Sequence, residues 1–452
     1  MNQLLESAKS RSIRFLKEIQ TRHVGHTPAG REGLKEFDEP MPPKGTDPEN
    51  VLQILDKVGT PATMGIAGPR FFGFVIGGSL PITLAANWLA GAWDQNSGLY
   101  EITPTTAYLE EVSLKWLNEI FGFPPSTRGA FVTGATVANF TALAAARHAV
   151  LKKTGWDVEA DGLFGAPPID VIIGAEAHPT LTKSLGLLGL GRTRLIKAPV
   201  DNQGRMRMDA FPKVKEPAIV CLQAGNVNTG AVDPLAELIA RAHKAGAWVH
   251  VDGAFGLWAT AAPSHKYLVE GITHADSWAT DAHKWLNVPY DSGLAFVRDP
   301  NALQAAMAIT AEYLPSKSPF RNPSDFTPEL SRRGRGVEIW AALKYLGKDG
   351  LAEMIERTCR HARRFSEGLN DAGFTILNDV VLNQVLVSFG SADVTSRIIQ
   401  EIQTDGTCWC GGTVWQGHTA MRISVSSWAT TEDDVEKSLE AMIRIARPHR
   451  TT

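Results

Sequence analysis

The sequence predicts an α/β fold in which a largely parallel sheet is followed by a smaller α+β region. Two observations support this prediction. From about residue 69 to residue 336, short apolar runs rich in β-branched and aromatic residues alternate with helical stretches, and turn-forming Gly and Pro separate them. From residue 337 the pattern changes to one long helix and then to mixed strands and helices. A chain of 452 residues is long enough for two or three domains.

The first 68 residues are predicted to form an N-terminal helical arm. The apolar residues of its first helix recur at amphipathic spacing: Leu4, Leu5, Ala8, Ile13, Leu16 and Ile19. The following segment, residues 26–50, is so rich in Pro, Gly and charge that no regular structure is expected there. It separates the arm from a large domain, residues 69–336, and a small C-terminal domain, residues 337–452.

Six runs are predicted strands of the large domain. They are AFVT (130–133), DVIIG (170–174), AIVCL (218–222), AWVHV (247–251), DSWAT (276–280) and GLAFV (293–297). The small domain is predicted to contain a long helix through Cys359 and Phe365, strands at FTILN, NQVLVSF and MRISVS, and helices near Ile398 and after Thr431. Asp233, which precedes Pro234, is predicted to cap a helix.

Composition excludes several classes of partner. The net charge of −3 shows no basic excess for nucleic acid or an anionic membrane. No apolar run is long enough to span a bilayer, and the N-terminus does not resemble a signal peptide. The four cysteines are too few and too irregularly spaced for a disulfide framework or a zinc site. A cytoplasmic enzyme with a small-molecule substrate and no metal is therefore expected.

The stretch from residue 250 to residue 290 carries the strongest chemical signal. Asp252 ends one predicted strand in HVDGAF, and His283 and Lys284 follow the next in DAHKW. Parallel strands end at one sheet edge, so both groups are expected to face one cleft. A lysine amine there can bond to an aldehyde, and a carboxylate can keep a pyridine nitrogen protonated. For either residue alone, an ordinary buried ion pair is the competing interpretation.

HVDGAF followed by DAHKW resembles the group II pyridoxal phosphate-dependent amino acid decarboxylases, which include the glutamate and aromatic L-amino acid decarboxylases. The resemblance extends from about Pro69 to Val435. It implies a fold-type I enzyme with a seven-stranded central sheet, and a homodimer with active sites at the interface. It also implies that Lys284 holds pyridoxal 5'-phosphate and that Asp252 holds the ring nitrogen.

The start of a predicted helix is the candidate phosphate site. Gly134, Ala135 and Thr136 follow a strand and open an alanine-rich helix, whose first N–H groups can bind an anion. A simple helix cap is the competing interpretation. In the family this junction cradles the cofactor phosphate, and a glutamate common in relatives is Val137 here. His283 of DAHKW could donate to the phosphate, and Asp281 of the same motif is also predicted to bind the cofactor.

Three further residues are predicted around the cofactor ring. His178 follows a strand in GAEAHPT, where a satisfied surface histidine is the commoner outcome. The family carries an Ala-His pair here that stacks on the ring, so His178 is predicted both to bind the cofactor and to act in catalysis. Ala254 would lie on the opposite face, and Gln223 within reach of the ring.

The substrate pocket is predicted from aromatic segments. Phe71 and Phe72 lie in PRFFGFVIGGSLP, a segment that lines the pocket in relatives, although a core strand is equally compatible with the sequence. Trp93 begins a second stretch that approaches the active site in relatives. The apolar character of these residues favours an aromatic or aliphatic amino acid over glutamate.

Residues 313–335 are long, polar and proline-rich, as lids in enzymes often are. In the family this loop carries a tyrosine that returns a proton to the substrate carbon. Tyr313 lies at the beginning of the loop, and the nearest matching place holds Phe326. Relatives with phenylalanine there can release an aldehyde. Of the basic run Arg332, Arg333 and Arg335, which could also be a solvated charge cluster, Arg335 is the predicted contact for the substrate carboxylate.

The sequence thus predicts pyridoxal phosphate-dependent decarboxylation of an L-amino acid, aromatic or apolar in side chain, to an amine and carbon dioxide. An aldehyde synthase or a carbon-carbon lyase with the same cofactor is the first alternative. A cofactor-binding protein without catalysis is the second. The sequence does not identify the amino acid.

Overall fold

The computed structural model describes residues 1–309 and 319–449. Two compact units divide the chain. One contains Met1–Ile76, Arg363–Leu377 and Val385–Thr452, and the other contains Gly77–Ala362 and Asn378–Gln384. This division differs from the three predicted domains, because the N-terminal arm and most of the C-terminal region fall in the same unit.

The N-terminal region contains four helices: α1 (Asn2–Glu18), α2 (Pro28–Gly33), α3 (Pro48–Ile54) and α4 (Thr60–Ala62). A 3-10 turn covers Leu34–Phe37, and a π-helical turn covers Leu55–Gly59. Helix α1 confirms the predicted amphipathic helix. The expectation of no regular structure in residues 26–50 was wrong, because Thr27 accepts the Gly30 N–H at 3.0 Å and Pro28 suits the first helical position.

The larger unit is built on a seven-stranded sheet. Its strands are β1 (Arg128–Val132), β2 (Asp170–Gly174), β3 (Ile196–Ala198), β4 (Ala218–Gln223), β5 (Trp248–Asp252), β6 (Ser277–Asp281) and β7 (Gly293–Val297). They lie in the order β1-β7-β6-β5-β4-β2-β3, and β7 alone runs antiparallel to its neighbours. The six predicted strands are confirmed to within two residues. The three-residue edge strand β3 was not predicted.

Helices precede, separate and follow these strands along the chain. They are α5 (Pro81–Trp93), α6 (Pro104–Phe121), α7 (Ala135–Lys152), α8 (Val158–Asp161), α9 (Pro179–Leu187), α10 (Leu235–Lys244), α11 (Pro300–Met307) and α12 (Gly336–Asp371), which is interrupted at Gly347. 3-10 turns lie at Met208–Ala210, Gly256–Ala261, Lys266–Val269, Ile272–His274 and Pro323–Phe326. The alanine-rich helix α7 packs against β5, β6 and β7, since its small buried side chains permit close approach. Its N-terminus therefore lies at the carboxyl edge of the parallel strands.

The C-terminal region contains β8 (Thr375–Ile376), β9 (Gln384–Ser388), α13 (Ala392–Asp405), β10 (Gly411–Trp415), β11 (His418–Ser424), α14 (Glu432–Ala446) and a 3-10 turn at Arg447–His449. The four strands form a second sheet in the order β10-β11-β9-β8. All the predicted elements of this region are present, and β10 was not predicted. Across the described ranges, none of the helices is both long and apolar enough to cross a membrane.

Candidate active site

Asp252 and Lys284 lie at the same edge of the large sheet. Strands β5 and β6 are parallel, and Asp252 pairs in register with Ala279, so the residues just after both strands meet at one edge. Together with side chains from the starts of α7 and α9, they line a cavity of about 350 Å³. Its lining residues are Thr133, Gly134, Ala135, Thr136, His178, Thr180, Gln223, Gly225, Val227, Asp252, Ala254, Phe255, Asp281, His283 and Lys284. Every residue predicted to bind the cofactor is therefore found in one place.

Asp281 joins the lysine to the start of α7. Its Oδ2 lies 3.0 Å from Lys284 Nζ, and its Oδ1 accepts the Ala135 N–H at 2.6 Å. The carboxylate is almost completely buried. A buried carboxylate is stable only when it is paired or hydrogen-bonded, and here both conditions hold. Asp281 thus neutralises the lysine and the positive end of the helix together.

Asp252 is held from two sides. Its Oδ1 accepts the Ala254 N–H at 3.2 Å, and its Oδ2 accepts a hydrogen bond from Asn139 Nδ2 at 3.2 Å. Burial raises the pKa of Asp252, while the nearby His178 and Lys284 and the Asn139 amide oppose that rise. Asn139 was not predicted, although it lies one helical turn after Ala135 and so on the same side of α7.

The strand-to-helix turn at Gly134 is closely packed. A Cβ atom at Gly134 would lie 3.2 Å from His283 Cε1. A Cβ atom at Gly293, on the adjacent strand β7, would lie 2.4 Å from Gly134 Cα, which no side chain can tolerate. Past Ala135, the first turn of α7 adds further backbone N–H groups and the Thr136 hydroxyl, which suit an anionic group.

His178 is oriented by its own helix. It is the N-cap residue of α9, and its Nδ1 lies 2.7 Å from Thr180 Oγ1 and accepts the Thr180 N–H at 3.3 Å. Thr180 also lines the cavity and was not predicted. The Thr180 contacts thus fix the imidazole at the cavity wall.

Gln223 lines the same cavity, and its Oε1 accepts a hydrogen bond from Asn226 at 3.1 Å. The predicted helix-capping role of Asp233 was wrong, because α10 begins after Pro234 without a side-chain cap. Asp233 instead accepts the N–H groups of Met206 at 2.7 Å and Gln223 at 2.8 Å. It therefore holds the end of β4, on which Gln223 lies.

His283 is stacked on Tyr290, another residue that was not predicted. The ring centroids are 4.2 Å apart and the planes are inclined by 27°. His283 Nδ1 accepts the Ser292 N–H at 3.1 Å, so a neutral ring carries its hydrogen on Nε2, 3.6 Å from Asp281. Burial lowers the pKa of His283 and raises that of Tyr290 to about 12. Tyr290 therefore remains protonated at neutral pH.

The predicted substrate residues are not among those that line this cavity. Phe71 and Phe72 belong to the other compact unit, where they are buried against Trp409 and Phe365, each at 5.0 Å between ring centroids. Trp93 is the last residue of α5 and is 42% exposed. Their substrate contacts remain predictions.

The arginine run and Phe326 have other partners in the structure. Arg332 is buried against Glu110 at 2.8 Å, Arg333 pairs with Glu338, and Arg335 Nε lies 2.9 Å from Asp291. The interpretation as a solvated charge cluster is therefore wrong for Arg332 and Arg335, which are buried, whereas Arg333 is exposed. Nη1 of Arg335 is buried without a hydrogen-bond partner among the residues described. Its proposed carboxylate contact remains open.

Phe326 packs partly buried against the core of the large unit, with the Arg321 guanidinium 4.5 Å above its ring. Arg321 also pairs with Glu110 at 2.8 Å, so this part of the predicted lid is held by buried charges. Tyr313, at the start of the lid, lies outside the described residues.

The described residues fit pyridoxal phosphate. The cavity offers an amine for its aldehyde at Lys284, a carboxylate for its ring nitrogen at Asp252, and a helix start for its phosphate at Ala135 and Thr136. One part of this fit is constrained, because Asp281 already accepts the first N–H of α7. A phosphate would use the next groups of that turn.

Comparison with known proteins agrees with this geometry. Residues 32–390 match the family model described as the pyridoxal-dependent decarboxylase conserved domain. The chain is 26% identical to the aromatic-L-amino-acid decarboxylase of Bacillus atrophaeus, over 99% of this chain and 97% of that protein. It is 27% identical to the L-2,4-diaminobutyrate decarboxylase of Rhizobium meliloti, over 93% and 87% of the two chains.

A solved structure shows the same fold. The crystal structure of Oryza sativa TDC with PLP and tryptamine superposes with a TM-score of 0.91, covers 100% of this chain and 98% of that one, and is 20% identical. That likeness establishes a fold-type I architecture. The family match and the cavity around Lys284 establish the cofactor and the class of reaction. The chain belongs to the pyridoxal-dependent decarboxylases and is a pyridoxal phosphate-dependent carboxy-lyase that acts on an amino acid.

Proposed function

We propose that this carboxy-lyase acts on an L-amino acid with an aromatic or apolar side chain and releases the amine and carbon dioxide. The observation that carries the proposal is the meeting of Lys284, Asp252 and His178 around one cavity. Asp252 and Lys284 support cofactor binding, and His178 supplies a group that can exchange a proton.

Each side chain has a separate task in this proposal. Pyridoxal phosphate, when bound, supplies an electron-withdrawing ring that stabilises negative charge at the substrate α-carbon. Lys284 holds the cofactor, and Asp252 keeps a proton at its ring nitrogen. Asp281 holds the lysine ammonium through its contact at 3.0 Å. His178, at the cavity wall, is placed to return a proton to the substrate carbon.

The charges around the cavity support an uncharged substrate side chain. Among the described residues that line it, Lys284 is the sole lysine or arginine, and the cofactor requires it. An acidic side chain would therefore find no second lysine or arginine among these residues, and an unpaired charge is costly to bury. The name of the Bacillus atrophaeus relative, an aromatic-L-amino-acid decarboxylase, supports the same preference.

A second outcome is release of an aldehyde with uptake of oxygen. It is supported by Phe326, which stands where relatives carry the loop tyrosine. Without a tyrosine hydroxyl at this position, the loop offers no proton donor there, so oxygen can compete for the substrate carbon.

We further propose a homodimer whose active sites lie at the interface. Ile82, Leu89 and Trp93 are spaced so that they share one face of α5, and each is at least 40% exposed. Ile102 and Tyr108, which follow α5 in the chain, are also exposed. Apolar exposure on this scale is typical of a protein interface. A cytoplasmic location is supported by the four cysteines, which are buried and form no disulfide with one another.

The experiment that tests the substrate proposal combines the purified protein, pyridoxal phosphate and a panel of L-amino acids. The panel contains phenylalanine, tyrosine, tryptophan, leucine, glutamate and 2,4-diaminobutyrate, with products identified by mass spectrometry and oxygen monitored. We expect amines from aromatic or apolar members without oxygen uptake. Turnover of glutamate or diaminobutyrate alone would refute the proposed preference. Peroxide and an aldehyde would establish the second outcome.

Lys284→Ala is the control for the site itself. It removes the amine, so covalently bound cofactor and turnover should both be lost. Lys266→Ala, at an exposed position of the same unit, should change neither.

A further inference from the structure

A chain of hydrogen bonds runs behind Asp252, away from the cavity. Trp248 Nε1 lies 2.9 Å from Ser277 Oγ, which lies 2.9 Å from His250 Nδ1. His250 Nε2 lies 2.8 Å from Asn139 Oδ1, and Asn139 Nδ2 lies 3.2 Å from Asp252 Oδ2. The chain thus connects four side chains, from strands β5 and β6 and helix α7, to the carboxylate of Asp252.

The direction of these bonds follows from the chemistry of the two ends. An indole N–H can only donate, so Ser277 Oγ accepts from Trp248 and its own hydrogen is available to His250 Nδ1. At the other end an ionised carboxylate can only accept, so Asn139 must turn its amide nitrogen toward Asp252. Asn139 Oδ1 then faces His250 and accepts the hydrogen of Nε2.

The Asn139 end therefore requires a neutral His250 ring with hydrogen on Nε2, and the Ser277 hydroxyl, which can donate to Nδ1, is compatible with that state. The other tautomer would set two acceptors, His250 Nε2 and Asn139 Oδ1, against each other, while Ser277 Oγ would accept from both Trp248 and His250. Such a mismatch inside a protein leaves buried polar groups unpaired, which disfavours that tautomer.

The surroundings keep the chain in this state. The side chains of Asn139, His250 and Ser277 are fully buried, and Trp248 is nearly so. Burial lowers the pKa of His250 to about 3, so the ring stays neutral across the physiological range. In a dry environment hydrogen bonds are stronger, and each bond polarises the next.

We propose that Asn139, His250, Ser277 and Trp248 form a directional relay that holds Asp252 ionised and fixed toward the cofactor ring nitrogen. Asn139 touches the carboxylate, and the other three are positioning residues that act through it. The proposal rests on the cofactor role given above to Asp252. Stabilising the carboxylate favours the ion pair between Asp252 and a protonated ring nitrogen over the neutral pair, because the negative charge is held on the aspartate.

A purely structural network makes a different prediction. If these contacts only stabilise the sheet against α7, their loss would lower stability without changing the protonation of the cofactor. If the relay acts on Asp252, the ring nitrogen should lose its proton more easily when the relay is cut. The readout must therefore be the ring nitrogen itself.

The experiment uses the holoenzyme loaded with pyridoxal phosphate that carries 15N in the ring, and a second sample with 15N-labelled histidine. Nitrogen NMR over a pH series reports the protonation of the ring nitrogen in the first sample and the tautomer of His250 in the second, assigned with His250→Gln. The variants are Asn139→Leu and Ser277→Ala. Thr141→Val is the matched control, since Thr141 is equally buried on α7 but its hydroxyl bonds, among the described residues, to Val137 O of its own helix.

In the unaltered holoenzyme we expect the Nε2–H tautomer of His250 and a protonated ring nitrogen. Asn139→Leu should lower the pKa of the ring nitrogen by about one unit, and Ser277→Ala should produce a smaller change in the same direction while His250 keeps the Nε2–H tautomer that its Asn139 contact requires. Thr141→Val should change neither signal.

Two results would overturn the proposal: an Nδ1–H tautomer of His250 in the unaltered protein, or an unchanged ring-nitrogen pKa in a folded Asn139→Leu holoenzyme. Failure of the proposed function would look different, because the unaltered protein would then show no covalently bound cofactor or no turnover. If Asn139→Leu does not fold, the ring-nitrogen pKa is measured in Ser277→Ala, which cuts the relay on the other side of His250. An unchanged pKa in that variant would then overturn the proposal.

Discussion

The ammonium group of Lys284 lies 3.0 Å from the carboxylate of Asp281, which also accepts the first backbone N–H of α7 at 2.6 Å. One buried carboxylate therefore balances two positive features of the cavity. In the proposed site, the cofactor would bond to Lys284 and place its phosphate beside the start of α7. Asp281 is therefore expected to affect both cofactor binding and the stability of the cofactor-free protein.

Asp281→Ala should destabilise the cofactor-free protein by about 1–3 kcal/mol, because it leaves the Ala135 N–H and the Lys284 ammonium without their buried partner. Urea unfolding of the cofactor-free protein measures this. Asp209→Ala, which removes an exposed partner of Arg207, is the control and should leave the urea midpoint unchanged. An unchanged midpoint for Asp281→Ala would contradict the role given to this carboxylate.

Gly293→Ala should weaken both folding and cofactor binding. The new Cβ atom would lie 2.4 Å from Gly134 Cα, so the strand-to-helix turn at the phosphate site must shift. Titration with pyridoxal phosphate should show at least about a tenfold loss of affinity, equivalent to roughly 1.4 kcal/mol. Gly350→Ala in α12 is the matched control, because its Cβ atom would make only ordinary contacts. Equal affinities of the two variants would refute the close-packing explanation.

Asp233→Asn should change the pH dependence of stability. Burial raises the pKa of Asp233 to about 6 in the folded protein, above its usual value of 3.8. The folded state therefore binds a proton that the unfolded state has lost between these values, and stability falls as pH rises from about 4 to about 6. That fall should be smaller in Asp233→Asn when free energies of unfolding are compared across the range.

The asparagine variant should also be less stable overall, by about 1–3 kcal/mol, since its amide can accept only one of the two N–H groups that Asp233 accepts. A parallel pH profile for the two proteins would show that Asp233 does not titrate as described.

Leu89→Glu should weaken the proposed dimer. It places a charge on the exposed apolar face of α5, where association would bury it at a cost. Analytical ultracentrifugation should show a larger monomer fraction and a lower specific activity at low protein concentration. Tyr267→Glu, at a 70% exposed aromatic residue on the same unit, should leave the association unchanged. A monomeric unaltered protein with full activity would refute the interface.

The sequence predicted most of the fold because the buried strands carry their own signal. β2 and β7 have the predicted bounds, since each is an apolar run closed by a turn. β3 escaped prediction because it is three residues long, and β10 because its GGTVW sequence begins with two glycines. The error in residues 26–50 arose because two side-chain caps, Thr27 at the start of α2 and Asp47 at the start of α3, outweigh composition.

The candidate site was predictable where chemistry is concentrated in a short motif. Asp252, Asp281, His283 and Lys284 belong to two such motifs, and Gly134 to Thr136 form a third. Asn139, His250 and Tyr290 were missed because their roles depend on contacts between elements distant in the chain, which no local pattern reports. Phe71 and Phe72 were predicted in the substrate pocket but are buried in the core of the other unit. An aromatic run has the same sequence pattern in a core as in a pocket.

The antiparallel direction of β7 limits how Lys284 can move. A parallel neighbour would require a long crossover, whereas residues 282–292 return directly from β6 to β7. Ser292 closes this return, because its carbonyl accepts the N–H groups of Ala282 and His283. Lys284 thus lies in a short connection whose two ends are held by β6 and β7. In the proposed exchange of the cofactor between Lys284 and a substrate amine, we expect the lysine to move by rotation about its side-chain torsions while these backbone hydrogen bonds stay in place.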